Sequence, residues 1–258
     1  IRSFKGRGTD FFVRGLSPLP ERLVTASAGN FGQGLAWAAR RRGVACEVFA
    51  AENANRLKVA RMRALGAVVH LAGRDLDEAK EHARAHAARE GVAFVEDGRE
   101  SAIAEGAGSI ACELFEWPEP IGAVIVPLGN GALLGGVGTW FKSASPQTRV
   151  IGVCAAGAPS MERSLRARRL IATESAHTIA DGIAVRVPIA EALDYLAGVV
   201  DDVVLVGDEA LRAAMRLVRD TSGILAEPAG AAGVAALIEH AGLRDLGLVA
   251  TPICGSNG

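Results

Sequence analysis

The sequence predicts an α/β protein built from open, mostly parallel, twisted sheets with helices on both faces. Three observations carry this. Short β-branched or apolar runs alternate with helix-length segments along the whole chain. The joints between them are short and rich in glycine. The clearest helical segment places Leu76, Ala79, Ala83 and Ala87 on one face and its charges elsewhere, a 3.6-residue period. Alternation of this kind means βαβ units, whose parallel strands are covered on both faces.

In chain order, RLVTAS is a strand followed by a helix through LAWAARRRG, and CEVFAA is a strand followed by RLKVARMRALG. AVVHLAG then leads into LDEAKEHARAHAAREG. VAFVED, AVIVPLG, RVIGVCAA, DVVLVGD and GLVATPIC continue the strands, each separated by enough residues for a helix. No Pro/Ser linker, low-complexity tract or repeat interrupts the rhythm. Open parallel sheets bind ligands at the carboxyl ends of their strands, so the strand-to-helix joints are where chemistry is expected.

Composition narrows the function classes. The 258 residues are half apolar with a formal net charge of −1, so no polybasic surface points to nucleic acid or to an anionic membrane. Four cysteines lie far apart without a C-x-x-C pair, which suits free thiols in a reducing compartment. The uncharged run Ile121 to Phe141 is long enough to span a bilayer, but it holds six glycines, Pro127 and Asn130, which a spanning helix tolerates poorly. No signal peptide is visible at the start. The expectation is a cytoplasmic protein acting on a small molecule.

Three joints are chemically unusual. SAGNFGQG (Ser27 to Gly34) follows RLVTA, and PLGNGALLGG (Pro127 to Gly136) follows AVIV. Each would expose consecutive backbone N–H groups at a helix N-terminus, which suits an anion. The third, TPICGSNG, takes Cys254 from a strand into glycine. A turn can also need glycine for geometry alone. Gly129, Gly131 and Gly135 give G-x-G-x-x-x-G, one residue off the dinucleotide-binding spacing, with no acidic residue at the right distance beyond. Two anion joints and the lysine of SFKGRG, Lys5, suit a ligand with a phosphate, a carboxylate and an aldehyde between them.

Together SFKGRG, SAGNFGQG, GNGALLGG, TIADGIAV, EPAGAAG and ICGSN resemble, in this order, the fold-type II pyridoxal-phosphate enzymes, and most of all their threonine/serine ammonia-lyases. The resemblance implies a two-lobed fold. Residues 1–20 and 101–258 would form a large cofactor-binding domain, and 21–100 a small domain carrying the substrate-carboxylate loop. It implies that Lys5 forms a Schiff base with pyridoxal 5'-phosphate, with Phe4 packing near the ring. Gly129, Asn130, Gly131, Ala132 and Leu133 would bind the phosphate, and Asn30 the ring hydroxyl. Ser27, with Ala28, Gly29, Asn30 and Phe31, would hold the substrate carboxylate. Gly182 would line the ring face, Glu227 would approach the ring edge, and Cys254 would meet the pyridine nitrogen. A homodimer and deamination of L-threonine or L-serine by β-elimination are also implied.

Physical chemistry supports these roles. A lysine that attacks a carbonyl must spend time neutral, which a desolvated pocket favours. Once released it can serve as a base at the substrate Cα, work typically giving ~10²–10⁴-fold. The ring's partner selects among reactions. A neutral thiol such as Cys254 protonates the ring poorly, which favours prompt loss of a β-leaving group.

Departures from the family pattern sharpen the expectation. Arg2 stands where much of the family has glycine, Phe31 where threonine-acting members often carry histidine, and Asn130 where the phosphate loop has glycine. Ala28 replaces the second serine of the serine racemases, so the face opposite Lys5 lacks a proton donor. Ala156, Gly157 and Arg163 fall where metal-binding members are acidic, so no metal is expected. The family's strand before the lysine and any segment after Gly258 are missing, so the chain is expected to be part of a longer protein.

The remaining candidates have plainer readings. His82 and His86 read as a solvated helix face, and His70 and His240 give no constellation. Cys46, Cys112 and Cys154 read as core residues. His177, just before TIADG, could approach the site. Glu227 could instead complement a helix dipole before Pro228. Alternatives to the lyase are another activity on the same scaffold (serine racemase, threonine synthase or β-replacement) and a binding protein without turnover.

Overall fold

A computed structural model describes residues 1–256, so Asn257 of the ICGSN stretch and Gly258 lie outside the described residues. The chain divides into two compact units, one of residues 1 and 3–106, the other of residues 2 and 107–258.

In the first unit four parallel strands, β1 (Arg22–Ala26), β2 (Ala45–Ala50), β3 (Val68–Leu71) and β4 (Ala93–Val95), form a sheet of order β3-β2-β1-β4. Their crossovers are α2 (Asn30–Arg41), α3 (Arg56–Ala64) and α4 (Leu76–Glu90). The expected face of α4 is the one buried: Ala79, Ala83 and Ala87 pack on Val24 and Phe49. Its ends follow local chemistry. The Asp75 side chain accepts from Glu78 N–H, and Gly91 takes the left-handed conformation that closes the helix.

Residues 1–20 were expected beside the later part of the chain, but helix α1 (Lys5–Gly15) groups with the first unit. The reason is its close packing on α2. A Cβ at Gly34 would stand 2.8 Å from Thr9 Oγ1 and 3.1 Å from the Lys5 carbonyl oxygen. The same helix also passes close to α5 (Ser101–Phe115), where a Cβ at Gly106 would lie 2.7 Å from the Arg7 carbonyl oxygen.

The second unit repeats the plan. Strands β5 (Ile121–Pro127), β6 (Arg149–Ala155), β7 (Asp202–Val206) and β8 (Leu248–Ala250) form a parallel sheet of order β7-β6-β5-β8. Helices α6 (Ala132–Ala144), α7 (Ser160–Ala167), α8 (Ala190–Leu196), α9 (Asp208–Ser222) and α10 (Ala232–Glu239) complete it. One core joins Ile125, Ile151, Val153 and Val206 of the sheet to Leu211 and Ala214 of α9 and Ala232 and Ala235 of α10. All eight strands expected from the sequence are present.

Each sheet order reverses direction once, between β1 and β4 in the first unit and between β5 and β8 in the second. The carboxyl ends of strands at such a reversal leave a crevice for a ligand. SAGNFGQG follows β1, and Glu96-Asp97 follows β4. GNGALLGG follows β5, and TPICG follows β8. Topology therefore singles out the three joints already chosen, and adds Glu96-Asp97.

Candidate active site

In the first unit, Lys5 opens α1, and its side chain is only 13% exposed. Its Nζ donates to Asp97 Oδ2 at 2.5 Å. The amine lies 4.6 Å from the Phe4 ring centroid and 5.8 Å from that of Phe31. Phe31 is buried at the start of α2, so two aromatic rings and a carboxylate surround the lysine. Asp97 is the functional candidate that motif reading missed. It closes the strand run VAFVED, outside the motifs that carry the family resemblance, and the sheet order sets it beside the end of β1.

The Ser27 loop is braced from within. Ser27 Oγ accepts from Gly29 N–H at 3.1 Å and from Gly32 N–H at 2.9 Å, and it is buried. The hydroxyl hydrogen is left to donate. Gly29 carries no side-chain cap for α2. Lys58, buried on α3, packs its stem against this loop: a Cβ at Gly29 would lie 3.1 Å from Lys58 Cδ and 3.5 Å from Nζ. In the sequence Lys58 lies within the helical run RLKVARMRALG and belongs to no motif. Its burial beside an anion-type loop is visible only in three dimensions.

In the second unit a run of close backbone contacts assembles the other candidates. Gly131 caps α6 with φ +91°, a conformation that favours glycine, and no side chain caps the helix. Asn130 Oδ1 is buried without a hydrogen-bond partner. A Cβ at Gly129 would meet the Gly182 carbonyl oxygen at 2.9 Å, and one at Gly182 would meet Ala229 Cβ at 2.9 Å. Glu227 is 3% exposed, and its backbone N–H donates to the Gly255 carbonyl at 3.0 Å. Its Oε1 lies only 1.9 Å from where a Cβ on Gly255 would sit. Cys254 is buried, with Sγ 3.9 Å from the Ala229 carbonyl oxygen. Gly129, Gly182, Ala229, Glu227, Cys254 and Gly255 thus form one lining.

Residues 1–255 match the family described as pyridoxal-phosphate dependent enzyme. The chain belongs to that family. It is 36% identical to the L-threonine ammonia-lyase of Thermotoga maritima over 99% of its own length and 64% of that protein. It is 35% identical to that of Geobacter sulfurreducens over 92% of its own length and 60% of that protein. The chain therefore spans less than two thirds of these relatives. Among solved structures, the processed threonine deaminase isoform 2 of Solanum lycopersicum superposes with a TM-score of 0.93 at 30% identity, covering 100% of this chain and 76% of that one. Maize serine racemase gives 0.92 at 25% identity, covering 99% and 80%. These likenesses make the fold that of the fold-type II enzymes.

The residues within each unit fit the cofactor of this family. The Gly129–Leu133 turn offers a helix N-terminus that no side chain caps, whose backbone N–H groups suit a phosphate. Gly129 and Gly182 approach each other through backbone, which leaves no side chain between them where a flat ring would lie. Lys5 supplies a shielded amine.

The readings of His70, His86 and Cys112 are corrected. His70 and His86 are not isolated: His70 Nε2 lies 2.6 Å and His86 Nε2 3.2 Å from Glu47 Oε2, and Arg22 donates to Glu47 Oε1 at 2.8 Å. His70 also stacks on Phe49. Burial by itself would raise the Glu47 carboxyl. The His70 hydrogen bond and the charges of His86 and Arg22 outweigh it and hold the carboxyl below its usual range. Cys112 is exposed rather than core, whereas burial pushes the Cys46 and Cys154 thiols up to about 12. His177 is exposed, and its backbone N–H donates to the Gly157 carbonyl at 2.9 Å. Among the described residues, no helix is long and apolar enough to cross a membrane and no group of His, Cys, Asp and Glu is arranged for a metal.

Proposed function

We propose that this chain deaminates L-threonine, L-serine or both by β-elimination, giving a 2-oxo acid and ammonia. The observation that carries the reading is the shielded Lys5 amine on the same unit as the Ser27 anion loop. The relatives named L-threonine ammonia-lyase support it. When bound, pyridoxal phosphate supplies an aldehyde for the substrate's amino group and a ring that accepts electrons as the Cα–H bond breaks.

The chain's own residues do the rest. Gly129 to Leu133 hold the phosphate through backbone N–H groups, and Asn30 holds the ring hydroxyl. Phe4, Gly182 and Glu227 would pack against the ring. Cys254, a neutral partner for the ring nitrogen, favours elimination over reactions that need a long-lived carbanion. The Ser27 hydroxyl and the amides of Ala28 to Phe31 hold the substrate carboxylate, with the Lys58 ammonium beside them. Lys5 holds the cofactor aldehyde and, once freed, takes the Cα proton. Ala28 disfavours racemisation, which needs a proton donor on the opposite face.

In this reading residues 107–258 supply the cofactor-binding lining, and 21–100 the carboxylate loop. The protein works in the cytoplasm as a homodimer without a metal. The scattered free cysteines support the compartment, and light scattering tests the dimer.

The test is turnover. Purified protein loaded with the cofactor is incubated with L-threonine and L-serine, and ammonia and 2-oxo acid are assayed. Borohydride followed by mass spectrometry should find the cofactor fixed to Lys5. Lys5→Ala should lose both the adduct and turnover while keeping its circular dichroism. An adduct on another lysine would sink the assignment.

A further inference from the structure

We propose that Asp97 is a catalytic residue, the proton relay that delivers the proton gained by Lys5 to the departing β-hydroxyl. The inference rests on the reading of Lys5 as the base at Cα. Asp97 Oδ2 accepts from Lys5 Nζ at 2.5 Å, and Asp97 Oδ1 is buried without a hydrogen-bond partner. One carboxylate thus has one oxygen on the amine and a second, desolvated oxygen with nothing to bind. Orphaned buried acceptors are costly, so a second oxygen left in this state calls for a partner that arrives with the substrate.

Position agrees. Asp97 follows β4 at the carboxyl edge of the sheet, next to the strand that ends in the Ser27 loop. A substrate whose carboxylate sits on that loop and whose Cα faces Lys5 carries its β-oxygen only two bonds from Cα. The neighbouring carboxylate, Glu96, is turned away: it accepts from Arg84 at 2.6 Å and lies 3.5 Å from Lys80, both on α4.

The chemistry balances. Hydroxide is a poor leaving group, so the C–O bond needs a proton as it breaks. Neutral Lys5 takes the Cα proton, and the C–H electron pair becomes the new Cα–Cβ bond. Lys5 passes a proton to Asp97, which hands it to the β-oxygen. Water departs with the C–O electron pair, leaving Asp97 ionised and Lys5 neutral for the next cycle.

A leaving group that needs no proton separates this role from a structural one. Asp97→Asn, Asp97→Glu and the unmodified protein are loaded with cofactor and given L-serine or β-chloro-L-alanine. Borohydride trapping on Lys5 and Cα-hydrogen exchange in D2O are measured alongside. Asp97→Asn should lose about 10²–10³-fold of turnover on L-serine. It should keep near-normal turnover on β-chloroalanine, whose chloride leaves unprotonated, along with normal trapping and exchange. Asp97→Glu should recover part of the loss. A parallel fall on both substrates, or undiminished turnover of L-serine, overturns the relay. Failure to trap the cofactor on Lys5 in the unmodified protein instead overturns the function proposed above, and the relay with it.

Discussion

The carbonyl oxygen of Gly182 stands 2.9 Å from the point where a Cβ on Gly129 would sit. Two segments more than fifty residues apart in the chain therefore touch through backbone alone, and any side chain at Gly129 must move one of them.

Gly129→Ala should weaken cofactor binding about tenfold, equivalent to about 1.4 kcal/mol. The obstructing atom is main chain and cannot swing aside. Gly15→Ala is the control, because a Cβ there meets nothing within 4 Å. Absorbance titration of both variants with pyridoxal phosphate checks this. Equal affinities would show that the Gly129 turn does not hold the phosphate.

Lys58→Met keeps the buried stem and removes the charge beside Gly29. A hydrogen bond to a charged group contributes about 1.5–3 kcal/mol, so KM for the amino acid should rise about 10- to 100-fold. Cofactor trapping on Lys5 should be unchanged. A loss confined to kcat would place Lys58 elsewhere in the reaction.

The Glu47 cluster makes stability depend on pH. A carboxyl held low in the folded state stabilises it above the unfolded value of about 4.3, and that contribution disappears as pH falls through the folded value. Glu47→Gln should therefore lower the urea midpoint at pH 7, and the gap to the unmodified protein should close as the solution is acidified below about 4. Paired urea titrations measure the gap. A gap that is constant with pH would mean that packing, not charge, sets the effect.

Ala28→Ser should raise Cα-hydrogen exchange and D-serine formation relative to 2-oxo acid, since it places a hydroxyl where a methyl stands. Chiral chromatography of the products reads the ratio. Substantial D-serine from the unmodified protein would make it a racemase.

Cys254→Ser keeps a neutral partner in the same buried place and should retain most of the elimination activity. Cys254→Asp would protonate the ring nitrogen and should reduce it. Identical turnover and cofactor absorbance in the two variants would show that Cys254 does not face the ring.

The eight strands, the buried alanine face of α4 and the three glycine joints are all legible in the linear chain. Each is written in a local period or in residues that only a tight turn requires. The linear chain could not reveal Asp97, Lys58 or the Glu47–His70–His86 cluster. An Asp after a short strand, a Lys on a mixed helix and a His on a solvated-looking one are unremarkable in one dimension. The order β3-β2-β1-β4 puts the end of β4 beside the end of β1, and close packing through Gly34 brings α1 with Lys5 onto α2. The same parallel pairing sets Glu47 between β1 and β3, within reach of Arg22 and His70. Strand order and helix packing bring together residues far apart in the chain, and local periodicity does not record which strands become neighbours.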